Sequence, residues 1–289
     1  MSQGDKNLPK GSPLFSRGDV RRTEGYKKYH IIKAVAYKQD TKNDKLLQNY
    51  DYMNKICLLS ILLMLFTMNQ HITAQSQTKE KAVIQRNTTL NYLLWFPADY
   101  KKDKTKTFPL LIFLHGSGER GTNIDLVKMH GPPSFVDKRS DFPFITVSPQ
   151  CPTDSWWNVE DLQVMLEQLK AKYRIDTDRI YLTGLSMGGF GTWSWASFYP
   201  NQFAAIAPVC GGGDVQFADE LRQTPVWAFH GEADPVVPVN RTVEMVESVN
   251  ANGGTARMTI YPEVGHDSWV NAYNDAELYK WLLSQSKKK

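Results

Sequence analysis

Cysteine is scarce. Three in 289 residues cannot build a disulfide-dense scaffold. A surplus of one charge is missing from most of the chain as well. Residues 1–52 hold 11 Lys and Arg against 6 Asp and Glu, a net of +5. Residues 75–289 hold 22 against 24, a net of −2. The formal charge of +4 therefore belongs to the leader. The remainder has no basic surplus to neutralise phosphates, which argues against a nucleic-acid partner. No metal-ligand cluster, phosphate-cradling loop or nucleotide fingerprint appears, so neither a metal nor a cofactor is implied. After Gln75 there is no repeat, low-complexity segment or Pro/Gly-rich linker, which predicts one domain over 75–289. Apolar residues at 42% and charged residues at 22% give a globular profile, not a disordered one.

Long apolar runs are missing too. Ile56–Met68 spans 13 residues, interrupted only by Cys57, Ser60 and Thr67. That is short of the roughly 20 residues a membrane-spanning helix needs. Met53-Asn54-Lys55 precedes it, and a polar stretch ending Ile72-Thr73-Ala74 comes after it. This order reads as a signal peptide over 53–74, cut near Ala74 or Gln75. A buried helix or a membrane anchor is the rival reading. Residues 1–52 are polar and basic with few large apolar side chains, which predicts an extension upstream of the real start, disordered or not native. Secretion to the periplasm or beyond would leave Cys151 and Cys210 in the mature chain, and no stable membrane insertion of it is expected.

Beyond Gln75 the chain alternates strand and helix. Lys81–Gln85 and Asn91–Phe96 suggest an antiparallel opening pair. Pro109–His115 (PLLIFLH) and Phe144–Ser148 (FITVS) are short apolar runs, as expected of strands buried on both faces. Val159–Tyr173 is helical, with Leu162, Leu166, Leu169 and Tyr173 on one face. Arg179–Thr183, Ala204–Val209, Pro225–His230 and Arg257–Tyr261 are further strands. Gly188–Tyr199, Val239–Asn250 and Ala276–Ser284 fit helices. The alternation predicts an α/β fold with a mostly parallel sheet and helices on both faces.

Gly184-Leu185-Ser186-Met187-Gly188 matches G-x-S-x-G between a strand and a helix, the setting of a nucleophile elbow. A serine hydroxyl needs a histidine base. His30 and His71 lie in the leader. His115 and His230 each end a buried strand and read as structural, and His130 sits in a loop with nothing to recommend it. His266, in Glu263-Val264-Gly265-His266-Asp267 after the last strand, is the preferred base. The acid should fall between serine and histidine in the chain. Asp234, in His230-Gly231-Glu232-Ala233-Asp234-Pro235, is preferred. Asp214 is the rival, and Asp267 is disfavoured because adjacent loop side chains tend to diverge. The oxyanion donors expected are the N–H of Met187 and one from His115-Gly116-Ser117-Gly118, either Ser117 or Gly118. Glu119 and Arg120 could brace that loop as an ion pair or be a solvated surface pair.

HGSGERG, SPQCP…SWW, GLSMGG, APVCGGGD, HGEADPVVP and GHDSW, in this order over residues 81–284, resemble the α/β-hydrolase superfamily. The chain is similar to compact secreted bacterial esterases. These lie between feruloyl/acetylxylan esterases, the phospholipase/carboxylesterase group and prolyl-oligopeptidase-type catalytic domains. The resemblance implies an eight-stranded hydrolase sheet and the triad Ser186, Asp234 and His266. In the implied strand order, the strands before Cys151 and Cys210 are separated by two others spaced about 4.8 Å apart, beyond disulfide reach. Two free, buried thiols are expected.

Between the strands ending at Val209 and starting at Pro225 there is no room for a cap domain. An open, shallow site is expected. It suits small esters or ester side groups on a polysaccharide rather than a lidded lipase's substrate. Trp156 and Trp269 are candidate substrate-binding rings, with packing against the core as the competing reading for each. The expected function is a secreted serine carboxylesterase acting on short or aromatic acyl esters. A prolyl-oligopeptidase-type peptidase is the alternative within the class. A non-catalytic carbohydrate-binding module on the same scaffold is the alternative outside it.

Overall fold

The computed structural model describes residues 88–287. The expected signal peptide at 53–74, the 1–52 extension and the strand expected at Lys81–Gln85 lie outside the described residues. Seven strands form one sheet in the order β1-β3-β2-β4-β5-β6-β7. The strands are β1 (Tyr92–Trp95), β2 (Phe108–Leu114), β3 (Ile145–Pro149), β4 (Ile175–Leu185), β5 (Ala205–Val209), β6 (Val226–Gly231) and β7 (Ala256–Tyr261). Of the eight strands expected, seven are therefore present among the described residues. Only β1 among them runs antiparallel, and its partner is β3, with Tyr92 opposite Pro149. Every other pairing is parallel.

The apolar runs become the central strands because both faces of the sheet are covered. In β2 every residue is buried. Leu110, Ile112 and Leu114 pack on one face with α1 (Val159–Lys172), α2 (Met187–Phe198) and α3 (Asn240–Ala251). Leu111 and Phe113 pack on the other with α4 (Trp269–Asn274) and α5 (Ala276–Ser284). Asn158 caps α1 by accepting from Asp161 N, and Asp275 caps α5 by accepting from Glu277 N, as short polar side chains do at helix starts.

Two connections decide the shape of the functional end. The 209–225 segment holds only a 3₁₀ turn, Val215–Leu221, whose Ala218 and Leu221 are buried in the core. No cap domain is present among the described residues. The connection from β2 to β3 is longer and carries 3₁₀ turns at Ser117–Glu119, Ile124–Met129, Pro132–Ser134 and Val136–Lys138. Its lack of a helical period left these turns unread in the sequence. Cys151 and Cys210 are both buried, with β2 and β4 lying between the strands that precede them. No helix among the described residues is long and apolar enough to cross a membrane.

Candidate active site

Strand β4 ends at Leu185 and α2 begins at Met187, so Ser186 occupies the turn between them. Its backbone sits at φ 52°, ψ −117°, a conformation that costs a non-glycine residue on the order of 1–3 kcal/mol. Neighbouring backbone enforces the turn. A Cβ at Gly188 would lie 1.9 Å from Leu114 O, and one at Gly184 would lie 2.5 Å from Gly188 O. Both positions demand glycine, which is the physical content of the motif. Ser186 N donates to Val209 O at 3.0 Å and to Cys210 Sγ at 3.3 Å. Burial raises the Cys210 thiol far above its usual range, so this sulfur acts as a neutral acceptor.

The sheet brings together three residues that are far apart in the chain. His266 Nε2 lies 2.9 Å from Ser186 Oγ, and its Nδ1 lies 2.7 Å from Asp234 Oδ2. With the imidazole neutral, Nδ1–H donates to the carboxylate and the Ser186 O–H donates to Nε2. Asp234 lies just past the end of β6, and His266 just past the end of β7. Asp234 Oδ1 accepts from Val236 N at 2.8 Å and Val237 N at 2.9 Å. Burial pushes this carboxyl up. The hydrogen bond from His266 and the two backbone donors outweigh burial and hold it below the ordinary aspartate value. It is therefore an anion at neutral pH.

Next to Ser186 runs the Gly116–Glu119 turn. A Cβ on Gly116 would lie 2.8 Å from Leu185 Cδ1 and 3.7 Å from Ser186 Cβ. Ser117 opens this turn, and Met187 opens α2, where first-turn N–H groups have no intrahelical acceptor. The turn is braced from beneath. Cys151 N donates to His115 Nε2 at 2.9 Å, so the ring hydrogen is on Nδ1, which donates to Gly116 O at 2.6 Å. Burial, with a smaller contribution from the Arg120 charge, lowers the His115 pKa to about 4. Trp157 Nε1 donates to His115 O, and Gln150 Nε2 donates to Glu119 O and Asn123 O.

The other expected residues take different places. Asp214 caps the Val215–Leu221 turn by accepting from Gln216 N, and Asp267 is exposed; neither joins the Ser–His–Asp run. Glu119 and Arg120 do not form an ion pair. Arg120 instead donates to the carbonyls of Ser117 and Ser155, while Glu119 is buried with Oε1 3.8 Å from His130 Nε2. Trp269 stands edge-on to His266, with ring centroids 5.3 Å apart. Trp156 is half-buried against Phe190 and the core.

Three functional-end residues make contacts that the sequence does not announce. His130 packs tilted against Trp269, ring centroids 5.3 Å apart, and faces Glu119. Glu119 itself packs under Gly116, its Oε2 3.3 Å from where a Cβ would sit. His230 Nε2 lies 3.2 Å from Asp234 Oδ2. For His230, the only signal was its four-residue spacing from Asp234 across a strand end. Among the described residues no group of side chains could hold a metal ion.

Comparison with known proteins fits this geometry. Residues 153–280 match the model of the dienelactone hydrolase family. A thermostable esterase of known structure superposes with a TM-score of 0.60 at 34% identity, over 68% of this chain and 59% of that one. A protein named "Probable feruloyl esterase C" from Aspergillus niger is 26% identical over 225 residues, covering 75% of this chain and 82% of its own. A bifunctional acetylxylan esterase/xylanase of Neocallimastix patriciarum is 34% identical over 137 residues. The chain spans only 20% of that bifunctional protein's length. The chain has the α/β-hydrolase fold, and residues 153–280 match the dienelactone hydrolase family.

Proposed function

We propose that this protein is a secreted serine carboxylesterase acting on short or aromatic acyl esters, including those carried by plant polysaccharide. The observation that carries this reading is the hydrogen-bonded run from Ser186 Oγ through His266 to the Asp234 carboxylate. Esterase names among the relatives, feruloyl and acetylxylan, support the choice of ester and of acyl group.

In the proposed reaction Ser186 Oγ attacks the ester carbonyl carbon while its proton passes to His266 Nε2. Asp234 holds the imidazole through Nδ1 and stabilises the imidazolium that forms. The N–H groups of Met187 and Ser117 receive the oxyanion. His266 then protonates the leaving alcohol as the carbon–oxygen bond breaks. Water, deprotonated by the same nitrogen, cleaves the acyl-enzyme and restores Ser186. No cofactor enters this reaction.

Substrate scope is set by the surface around the run. The 209–225 connection holds only a short turn anchored by buried Ala218 and Leu221, too little to form a cap, so a long acyl chain finds little apolar cover. Trp269, edge-on to His266, offers a ring against which an aromatic acyl group or a sugar can rest. Trp156 is kept as the second substrate-contacting ring. Export rests on the signal-like 53–74 stretch, with cleavage near Ala74.

The test is a panel of p-nitrophenyl esters, acetylated xylan, feruloylated sugars and peptide amides. Turnover of short or aromatic esters is expected. Preference for peptide amides over every ester would move the protein to the peptidase reading. Binding of xylan without turnover of any substrate would move it to the carbohydrate-binding reading.

A further inference from the structure

Asp234 Oδ2 serves two imidazoles. His266 Nδ1 reaches it at 2.7 Å from the solvent side, and His230 Nε2 reaches it at 3.2 Å from the core side. The His230 side chain is fully buried, as is that of Asp234. The surroundings of His230 fix where its hydrogen sits. Nε2 faces two acceptors, the Asp234 carboxylate and Val237 O at 2.9 Å, so it carries a hydrogen. Nδ1 lies 2.7 Å from the Thr242 hydroxyl, whose one hydrogen has a second acceptor in Gly211 O at 2.9 Å, so the hydrogen on Nε2 is the one its neighbours require. A run of polar atoms thus ties Asp234 to α3 through Thr242, and on to the backbone after β5.

From this we infer that His230 is a positioning residue. Its Nε2–H, bonded to Val237 O and 3.2 Å from Oδ2, holds the 232–238 loop and the carboxylate where His266 must find them, and takes up part of the carboxylate's charge. The inference rests on reading Ser186, His266 and Asp234 as the working triad. The groups facing His230 are Asp234 and Val237 O from its own loop, Thr242 from α3, and His266 beyond the shared carboxylate. Asp234 is the one acid among them. With His230 deleted, Oδ2 would hold the His266 imidazolium more tightly. His266 would then stay protonated to higher pH, and the carboxylate would lose one of its anchors.

The decisive variants are His230→Phe, which keeps a ring but removes both nitrogens, and His230→Gln, whose amide N–H can reach the Nε2 position. His230→Phe should lower kcat about 10- to 100-fold with little change in KM. It should also move the acid limb of kcat/KM upward by about half a pH unit. His230→Gln should recover most of both effects. A folded His230→Phe enzyme with unchanged kcat and acid limb would overturn the proposal, as would a His230→Gln enzyme as impaired as His230→Phe with its acid limb unmoved.

A second measurement does not depend on turnover or on the folding of His230 variants. In ¹⁵N-histidine-labelled protein, the His230 ring proton should be on Nε2 and should shift on Asp234→Asn. A ring without a proton on Nε2, or an Nε2 proton indifferent to Asp234→Asn, would contradict the inference. A wild-type protein that hydrolyses no ester would defeat the esterase reading, and the ring-proton result would still decide His230.

Discussion

His115-Gly116 and His230-Gly231 look alike in the chain. Each histidine closes a buried parallel strand, each precedes a glycine, and each is fully buried. Their surroundings differ. His115 bonds to backbone on both sides, to Cys151 N and Gly116 O, so it fixes the course of a loop. His230 faces the carboxylate that orients His266, so it fixes a side chain. One strand end therefore shapes the turn that offers Ser117, and the other shapes the acid. The difference arises from the loops beyond: the 116–119 turn folds back over its own strand, whereas the 232–238 loop returns Asp234 to the ring four residues before it.

The sharpest break between the two regions comes at the acid. Asp234→Asn should lower kcat by about 10⁴-fold, because the amide favours the wrong tautomer of His266. Asp214→Asn, which only loosens the cap of a short turn, should stay within about twofold of wild type. Steady-state kinetics on a single ester measures both. A larger loss from Asp214→Asn would move the acid to the other strand end.

Next in size is the oxyanion-side histidine. His115→Phe leaves Cys151 N without its acceptor and Gly116 O without its donor. The unpaired buried groups should cost about 1–3 kcal/mol in stability. Turnover should fall about 10-fold as the Ser117 turn shifts. Denaturant melts and kcat together separate this from the His230 case, where stability and the acid limb respond differently.

Acid should expose the same histidine. Its folded-state pKa is depressed to about 4 from 6.5 by burial, so protonation opposes folding. The stability it contributes is complete above pH 6.5 and is lost as pH falls toward 4, by on the order of 3 kcal/mol. Asp234, also depressed, adds to the loss in the same direction at lower pH. Thermal melts from pH 7 to 4 should therefore fall steeply for wild type and less steeply for His115→Phe. Parallel curves would show that another group carries the effect.

Much of this was legible in the chain, for identifiable reasons. The runs PLLIFLH and FITVS, short and almost wholly apolar, read as strands buried on both faces. Gly184 and Gly188 encode the elbow because any side chain there would meet backbone. The order Ser186, Asp234, His266 needed no distances. What remained hidden depended on return paths. The β2–β3 connection has no helical period, so nothing announced that it would carry His130 to Trp269 or fold Glu119 under Gly116. Arg120 beside Glu119 suggested an ion pair, yet successive residues in a tight turn diverge, and each side chain found a partner elsewhere. His230 read as a structural residue because burial was visible and its neighbour was not.

The smallest effect expected concerns acyl length. With only a short turn between β5 and β6, each added methylene gains little of the ~0.8 kcal/mol that full burial would supply. kcat/KM should then fall from p-nitrophenyl acetate through butyrate and octanoate to palmitate, without a jump at the solubility limit. A rise toward palmitate would mean that the 209–225 segment moves as a lid.

The central claim is that the strained serine between β4 and α2 is the nucleophile. The most direct measurement is intact-protein and peptide mass spectrometry after treatment with a fluorophosphonate. The account predicts a single adduct on Ser186, absent from Ser186→Ala, with turnover in that folded variant reduced by several orders of magnitude. No adduct on wild type, an adduct on another residue that persists in Ser186→Ala, or a tenth of wild-type activity in that variant would contradict it.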